Sequence, residues 1–139
     1  KNFKINDDRF KGIAFIHHKK ESGKFYPYVS IKNGILNMRL VASYSGKNWV
    51  FFDNVILLAN GNEYEIPFYS TDTNVGSGYV SEYGDILVSS ELLEQLKEIS
   101  SAEIVETRFS GKSIDDGKLG KYEMLVLREV IELYEKLKK

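Results

Sequence analysis

FYPYVSIKNGILNMRLVASY, residues 25–44, decides the fold. Two runs rich in aromatic and β-branched residues flank Asn33-Gly34. A two-residue hairpin turn that matches strand twist needs positive φ at both positions, and asparagine and glycine tolerate that best. The stretch therefore reads as a β-hairpin. In its second arm Leu36, Met38, Leu40, Ala42 and Tyr44 share one face, while Asn37, Arg39 and Ser43 share the other.

The same reading extends in both directions. KNFKINDDR (1–9) is polar and is expected to be a flexible N-terminal arm. FKGIAFIHHK (10–19) reads as a strand. Beyond the hairpin, WVFFDNVILLA (49–59) reads as a strand, and Asn60-Gly61 turns it into NEYEIPFY (62–69). There Tyr64, Ile66 and Phe68 point one way and Glu63 and Glu65 the other. Pro67 lacks a ladder donor and belongs at an edge or a bulge. STDTNVGSG (70–78) reads as a polar loop, and YVSEYGDILV (79–88) as a strand with a bulge expected at Gly84.

After residue 88 the apolar period changes. SSELLEQLKEIS (89–100) opens with serines, which are good N-caps, and carries Leu92, Leu93, Leu96 and Ile99 at helical spacing. AEIVETRF (102–109) returns to strand. KYEMLVLREVIELYEKLKK (121–139) is a helix with a stripe of Met124, Leu127, Ile131, Tyr134 and Leu137, and with Glu132 four residues before Lys136. The expected fold class is α+β: a mostly antiparallel sheet of about seven strands, sandwich-like or singly curved, with two helices near the C-terminus. Residues 10–139 form a single domain behind the arm.

Composition limits the function. A chain of 139 residues with 42% hydrophobic and 28% charged residues has an ordinary globular make-up. Nineteen basic and 20 acidic side chains leave a formal charge of -1, so nothing draws the whole molecule to nucleic acid or an anionic membrane. The absence of cysteine excludes disulfides, thiol catalysis and thiolate metal sites. No apolar run has the length of a membrane span. The chain starts at Lys1, a boundary that leaves room for a signal peptide upstream.

SGKSIDDG (110–117) looks most like chemistry. A phosphate loop needs G-x-x-x-x-G-K-[ST], and Gly111-Lys112-Ser113 supplies its end. The first glycine is replaced by Glu106, and Asp115 and Asp116 stand where a phosphate would be repelled. Turn chemistry explains Gly111 and Asp115-Asp116-Gly117 better. Leu119, Gly120 and Met124 then fit a helix start with a hydrophobic staple. His17 and His18 are neighbours on a strand, so they point to opposite faces and cannot easily share a metal; a solvated strand end is expected. Glu63 and Glu65 are spaced like paired carboxylates of a glycosidase, but two glutamates on an outer strand face also serve solubility. D72-T-N74-V-G76 fails the calcium-loop pattern at the glycine and at Tyr83. No catalytic residue, metal site or cofactor is expected.

Tyrosine is the excess, nine in all. Tyr79 and Tyr83 share one face of a strand, and Tyr26 and Tyr28 share the outer face of another. Tyrosine brings large contact area at low entropic cost, although it is also a common strand residue. The candidate binding residues are Tyr79, Glu82, Tyr83 and Asp85.

Trp49 through Asp53, and the segment from Arg108 to Tyr134, carry a resemblance that runs over residues 35–139. They resemble a loose group of uncharacterised bacterial proteins, many of them exported or lipoprotein-like, with a β-rich domain. Such relatives often have serine or threonine where this chain has Gly120. The resemblance implies a cell-envelope or secreted location, with a lipid anchor upstream, and a non-enzymatic binding or accessory role with a protein or glycan partner. It transfers no catalytic residue. A carbohydrate or small-molecule binder or hydrolase, using the tyrosines with Glu82 or Asp85, is the alternative. A cytoplasmic inhibitor- or immunity-type interaction protein is another.

The C-terminal helix yields a direct test. Ile131→Asp places a charge against the core and should lower stability by several kcal/mol. An unchanged melting temperature would mean that the helix does not dock through that face.

Overall fold

Both Asn-Gly turns form. In a computed structural model describing residues 2–138, φ is 52° and 80° at Asn33 and Gly34, and 53° and 77° at Asn60 and Gly61. The first turn joins β3 (Phe25–Lys32) to β4 (Ile35–Gly46), and the second joins β5 (Asn54–Ala59) to β6 (Asn62–Pro67). Before them lie β1 (Phe3–Asp8) and β2 (Ile13–His18). After them come β7 (Thr71–Gly76), β8 (Tyr79–Leu87), α1 (Ser90–Ser100), β9 (Val105–Ser110), β10 (Ile114–Lys118) and α2 (Lys121–Leu137).

The class is α+β, with ten strands in two antiparallel sheets. The six-stranded sheet has the order β1-β2-β3-β4-β8-β7, and the four-stranded sheet the order β10-β9-β5-β6. The chain builds the β1–β4 meander and crosses to the second sheet for β5–β6. It returns for β7–β8, then crosses again for β9–β10. The sheets and both helices share one apolar core. Met38, Leu40, Ala42 and Tyr44 enter it from β4, and Val55, Leu57, Ala59, Ile66 and Phe109 from the opposite sheet. Helix α2 packs on β3, and α1 bridges α2 and β5.

Three strands exceed the seven expected, and each comes from a polar stretch. Phe3–Asp8, within the expected arm, pairs along β2 from Phe3↔His18 to Asp8↔Ile13. Thr71–Gly76, within the expected loop, pairs along β8. Asp115-Asp116-Gly117 is not a turn but part of β10, where Arg108 grips Asp116 through two hydrogen bonds of 2.7 and 2.8 Å. All three are edge strands. An edge strand has one open side, so apolar alternation does not mark it. Pro67 also lies on an edge strand, as its missing donor requires.

Gly84 carries no bulge: the β4–β8 register runs unbroken from Arg39↔Leu87 to Gly46↔Val80. It is glycine because a Cβ there would come 2.8 Å from the Phe68 ring. The helix stripe is shorter than expected. Met124, Val126, Leu127, Val130 and Ile131 are buried, while Leu137 is 42% exposed. The last turn of α2 is tied to α1 by Glu135–Lys97 (2.8 Å) rather than by Glu132 and Lys136. The Gly120 cap works through Glu123, whose carboxylate accepts the Gly120 N–H (2.8 Å) and, across the fold, the Lys24 N–H (2.8 Å). His18 is buried rather than solvated. Its Nδ1 accepts the Lys20 N–H (3.0 Å), so Nε2 carries the proton and donates to Glu129 (2.7 Å) on α2.

The strand expected from Trp49 begins only at Asn54. Residues 49–53 instead form a loop whose inner side chains, Val50 and Phe52, fill the core. Phe52 meets Phe68 and Phe109 edge to face, at 5.8 and 5.0 Å. The loop is held from beneath by Glu82, which is fully buried. One Glu82 oxygen accepts the N–H groups of Val50 (2.8 Å) and Phe51 (2.9 Å), and the other accepts that of Phe52 (2.9 Å). Three successive N–H groups converge on one anion because Phe51 takes φ 52°. Such a conformation costs an aromatic residue on the order of 1–3 kcal/mol.

The β9–β10 turn locks the loop from the other side. Lys112 N–H donates to the Val50 carbonyl (2.9 Å), and the Ser113 hydroxyl to the Trp49 carbonyl (3.1 Å). Gly111 has no room for a Cβ against the Phe51 carbonyl. The SGKS stretch is thus a strand-to-strand latch, with no helix start beside it to bind phosphate.

Glu82→Ala would strand three N–H groups, each costing about 1–3 kcal/mol when buried without a partner. Urea unfolding should show a loss of at least about 3 kcal/mol, and Glu82→Gln, which presents an amide to the same donors, should also be destabilised. A loss under about 1 kcal/mol in the alanine variant would show that water replaces the carboxylate.

Candidate functional site on the outer face of the six-stranded sheet

The Asn33-Gly34 turn that aligns the core faces of β3 and β4 also aligns their opposite faces. Across β3 and β4, Tyr26 faces Val41 and Tyr28 faces Arg39. Across β4 and β8, Val41 faces Asp85 and Ser43 faces Tyr83. Phe15 and His17 extend this face on β2, beside β3. The face looks away from the core, yet much of it is covered by its own side chains. Val41 is 1% exposed and Tyr28 8%, while Tyr83 is 42% exposed and forms the accessible crest.

Asp85 organises the centre. It accepts the Tyr28 hydroxyl at 2.6 Å and Arg39 Nε at 2.7 Å. The Tyr28 ring stacks on His17 at 4.6 Å, with 18° between planes. His17 Nδ1 in turn lies 2.7 Å from a Glu21 oxygen. Phe15 packs against both rings, 6.1 Å from Tyr28 and 6.4 Å from His17. An open cleft of about 690 Å³ adjoins the cluster, running past Arg39, Asp85 and Leu87 to Pro67, Tyr69 and Gln95.

The phenols are held protonated. Burial, reinforced by the negative charges of Glu21 and Asp85 and by Tyr83 once that phenol ionises, pushes Tyr26 up to about 12. Burial and then the hydrogen bond to Asp85 push Tyr28 higher still. Burial, with Asp85 and Glu21 adding to it, raises Tyr83. At neutral pH the cluster therefore presents neutral phenols around one carboxylate–guanidinium pair. It can stack and donate hydrogen bonds, and its phenolic protons are poorly disposed to leave.

Of the residues expected from sequence, Tyr79, Tyr83 and Asp85 share this face, and Glu82 does not. Glu82 alternates with its neighbours and points into the core, where it holds the 49–53 loop. Tyr79 is 50% exposed at the far end of β8, with its ring over Gly76. Sequence reasoning did not find Arg39, His17, Phe15 or Glu21. Arg39 was within reach, because a two-residue turn at 33–34 sets Lys32 opposite Ile35 and so Tyr28 opposite Arg39. Among the described residues no group of three histidine, aspartate or glutamate side chains could hold a metal ion. No helix among them is long and apolar enough to cross a membrane. No protein-family model, curated protein or solved structure matches the chain.

Tyr26 yields a pH prediction. Its folded-state value lies above the ordinary 10.0, so folding favours the neutral phenol. That contribution is complete below pH 10 and is lost as pH rises from 10 toward about 12. Alkaline absorbance titration should show one phenol ionising near 12 that is missing in Tyr26→Phe. If the two curves coincide, Tyr26 is not shielded as described.

Proposed function

We propose that the chain is a non-catalytic binding module of the bacterial cell envelope that engages a protein partner through the outer face of the six-stranded sheet. One observation carries the reading: the polar groups of the face are paired with one another and its phenols are held neutral. Asp85 is occupied by Tyr28 and Arg39, so the carboxylate at the centre of the face is already paired. What the face offers is contact. Tyrosine rings share the face with an arginine, the residue types that dominate protein interfaces. The cluster is already ordered, so binding immobilises little further. The envelope location rests on the bacterial exported-protein resemblance of residues 35–139, and an upstream lipid anchor or signal peptide belongs to the same reading.

The test compares the parent with a Tyr79→Ala/Tyr83→Ala variant. Both side chains are about half exposed, so the variant should fold. In-cell crosslinking followed by envelope fractionation should recover a defined partner with the parent, and at least about tenfold less with the variant. Equal recovery would remove this face from the function. Recovery of the chain in the cytosol alone would remove the envelope.

A further inference from the structure

Lys24 sends its side chain from the six-stranded sheet to the four-stranded one. Its ammonium occupies the space that a Cβ at Gly117 would fill. Gly117 pairs with Thr107 of β9, and Asp115, two residues earlier, pairs with Phe109. Thr107 and Phe109 are both buried, so Gly117 and Asp115 share the inner face of β10. The ammonium therefore stands between the sheets, on the strand face that carries Asp115. The Thr107 hydroxyl lies 3.6 Å from the same Gly117 position, buried and without a hydrogen-bond partner. Buried polar groups left unsatisfied by the fold call for an explanation.

Neither charge is neutralised from within. Among the described residues, neither Lys24 nor Asp115 takes part in an ion pair. Glu123 spends one oxygen on the backbone N–H of Lys24 and the other on that of Gly120, so it fixes the lysine without pairing its ammonium. The Lys24 carbonyl accepts the Ser43 N–H (2.8 Å), which holds the same backbone from the other side. Asp116 is taken by Arg108. Lys24 and Asp115 line one cleft of about 380 Å³ with Tyr44, Ser45 and Phe109. The pairing of β3 with β4 stops at Phe25↔Ala42, so Ser45 lies beyond it. Strand alternation turns the backbone groups of Ser45 the same way as those of Ser43, toward the cleft.

We infer that this cleft binds a free α-amino acid. An inorganic anion or a simple carboxylate would satisfy Lys24 but face Asp115, and an amine would meet the reverse. A zwitterion answers both charges. The step from Asp115 to Gly117 spans about 7 Å along the strand. An α-amino acid carries its ammonium and carboxylate on one carbon, and with a charge-assisted hydrogen bond of about 2.8 Å at each end it bridges that step. The Ser45 backbone adds a donor and an acceptor. The apolar wall of Tyr44 and Phe109 lowers the local dielectric and strengthens both charge contacts. The site uses neither Tyr83 nor Asp85, so it stands whether or not the tyrosine face binds a protein.

The probes are the standard L-amino acids, each titrated into the ¹⁵N-labelled parent and followed by amide chemical shifts. Acetate and methylammonium, each carrying half of the recognised charge, serve as controls. At least one amino acid should shift the Lys24, Ser45 and Asp115 amides saturably, and both controls should bind at least about tenfold more weakly. Lys24→Gln and Asp115→Asn should each weaken the amino acid about tenfold or more while melting close to the parent. Gly117→Ala should do the same, because its Cβ displaces only the flexible end of Lys24. No saturable shift with any amino acid overturns the inference, as does normal binding by Lys24→Gln or Asp115→Asn. Acetate or methylammonium binding as tightly as the amino acid would reduce the cleft to a site for one charge and overturn it as well.

Discussion

A single buried carboxylate fixes how the two sheets meet. Glu82 stands on the inner face of β8, where burial of an unpaired charge would be prohibitive. It is tolerated because Val50, Phe51 and Phe52 turn three successive N–H groups toward it. Those groups would themselves be costly in the core without a partner. Each side resolves the other's problem. Because β8 belongs to the six-stranded sheet and the loop leads directly into β5 of the four-stranded one, this contact sets the passage between sheets. The β9–β10 turn then closes on the same loop, and Phe52 is left at the centre of the aromatic packing with Phe68 and Phe109.

The alternation that sends Glu82 inward sends Tyr83 and Asp85 outward. One strand thus carries the anchor of the core and the centre of the candidate binding face. Rigidity passes from one to the other through the backbone of β8, whose register with β4 is unbroken. On the outer face Asp85 repeats the logic of Glu82 in a wetter setting, drawing Tyr28 and Arg39 into one cluster. The result is a patch ordered before any partner arrives.

Stability and display diverge at the 49–53 loop. Val50 and Phe52 serve the core, while Phe51 is turned to solvent by the conformation that makes the N–H cradle and Trp49 packs partly against the core. The strain at Phe51 is sustained because Glu82 on one side and the β9–β10 turn on the other leave the chain no cheaper path.

Local chemistry determined much of this protein. The Asn-Gly turns, the faces of β4 and β6, the Ser89 and Gly120 helix starts and the Leu119–Met124 staple follow from residue types a few positions apart, because turn and cap geometry act over that range. The placement of Tyr28 opposite Arg39 follows too, since a two-residue turn fixes register. What lay beyond the sequence depends on distant partners. β1, β7 and β10 are polar edge strands whose evidence is their neighbour's ladder rather than their own apolar pattern. The segment 49–53 has the composition of a strand and is a loop, because a glutamate thirty residues away captures its N–H groups. Asp85 meets Tyr28 only because β8 returns to β4 after an excursion through the other sheet. His18 is buried because α2 delivers Glu129 to it from the far end of the chain. Periodicity reports which way a side chain points, whereas only the folded chain supplies the group that meets it there.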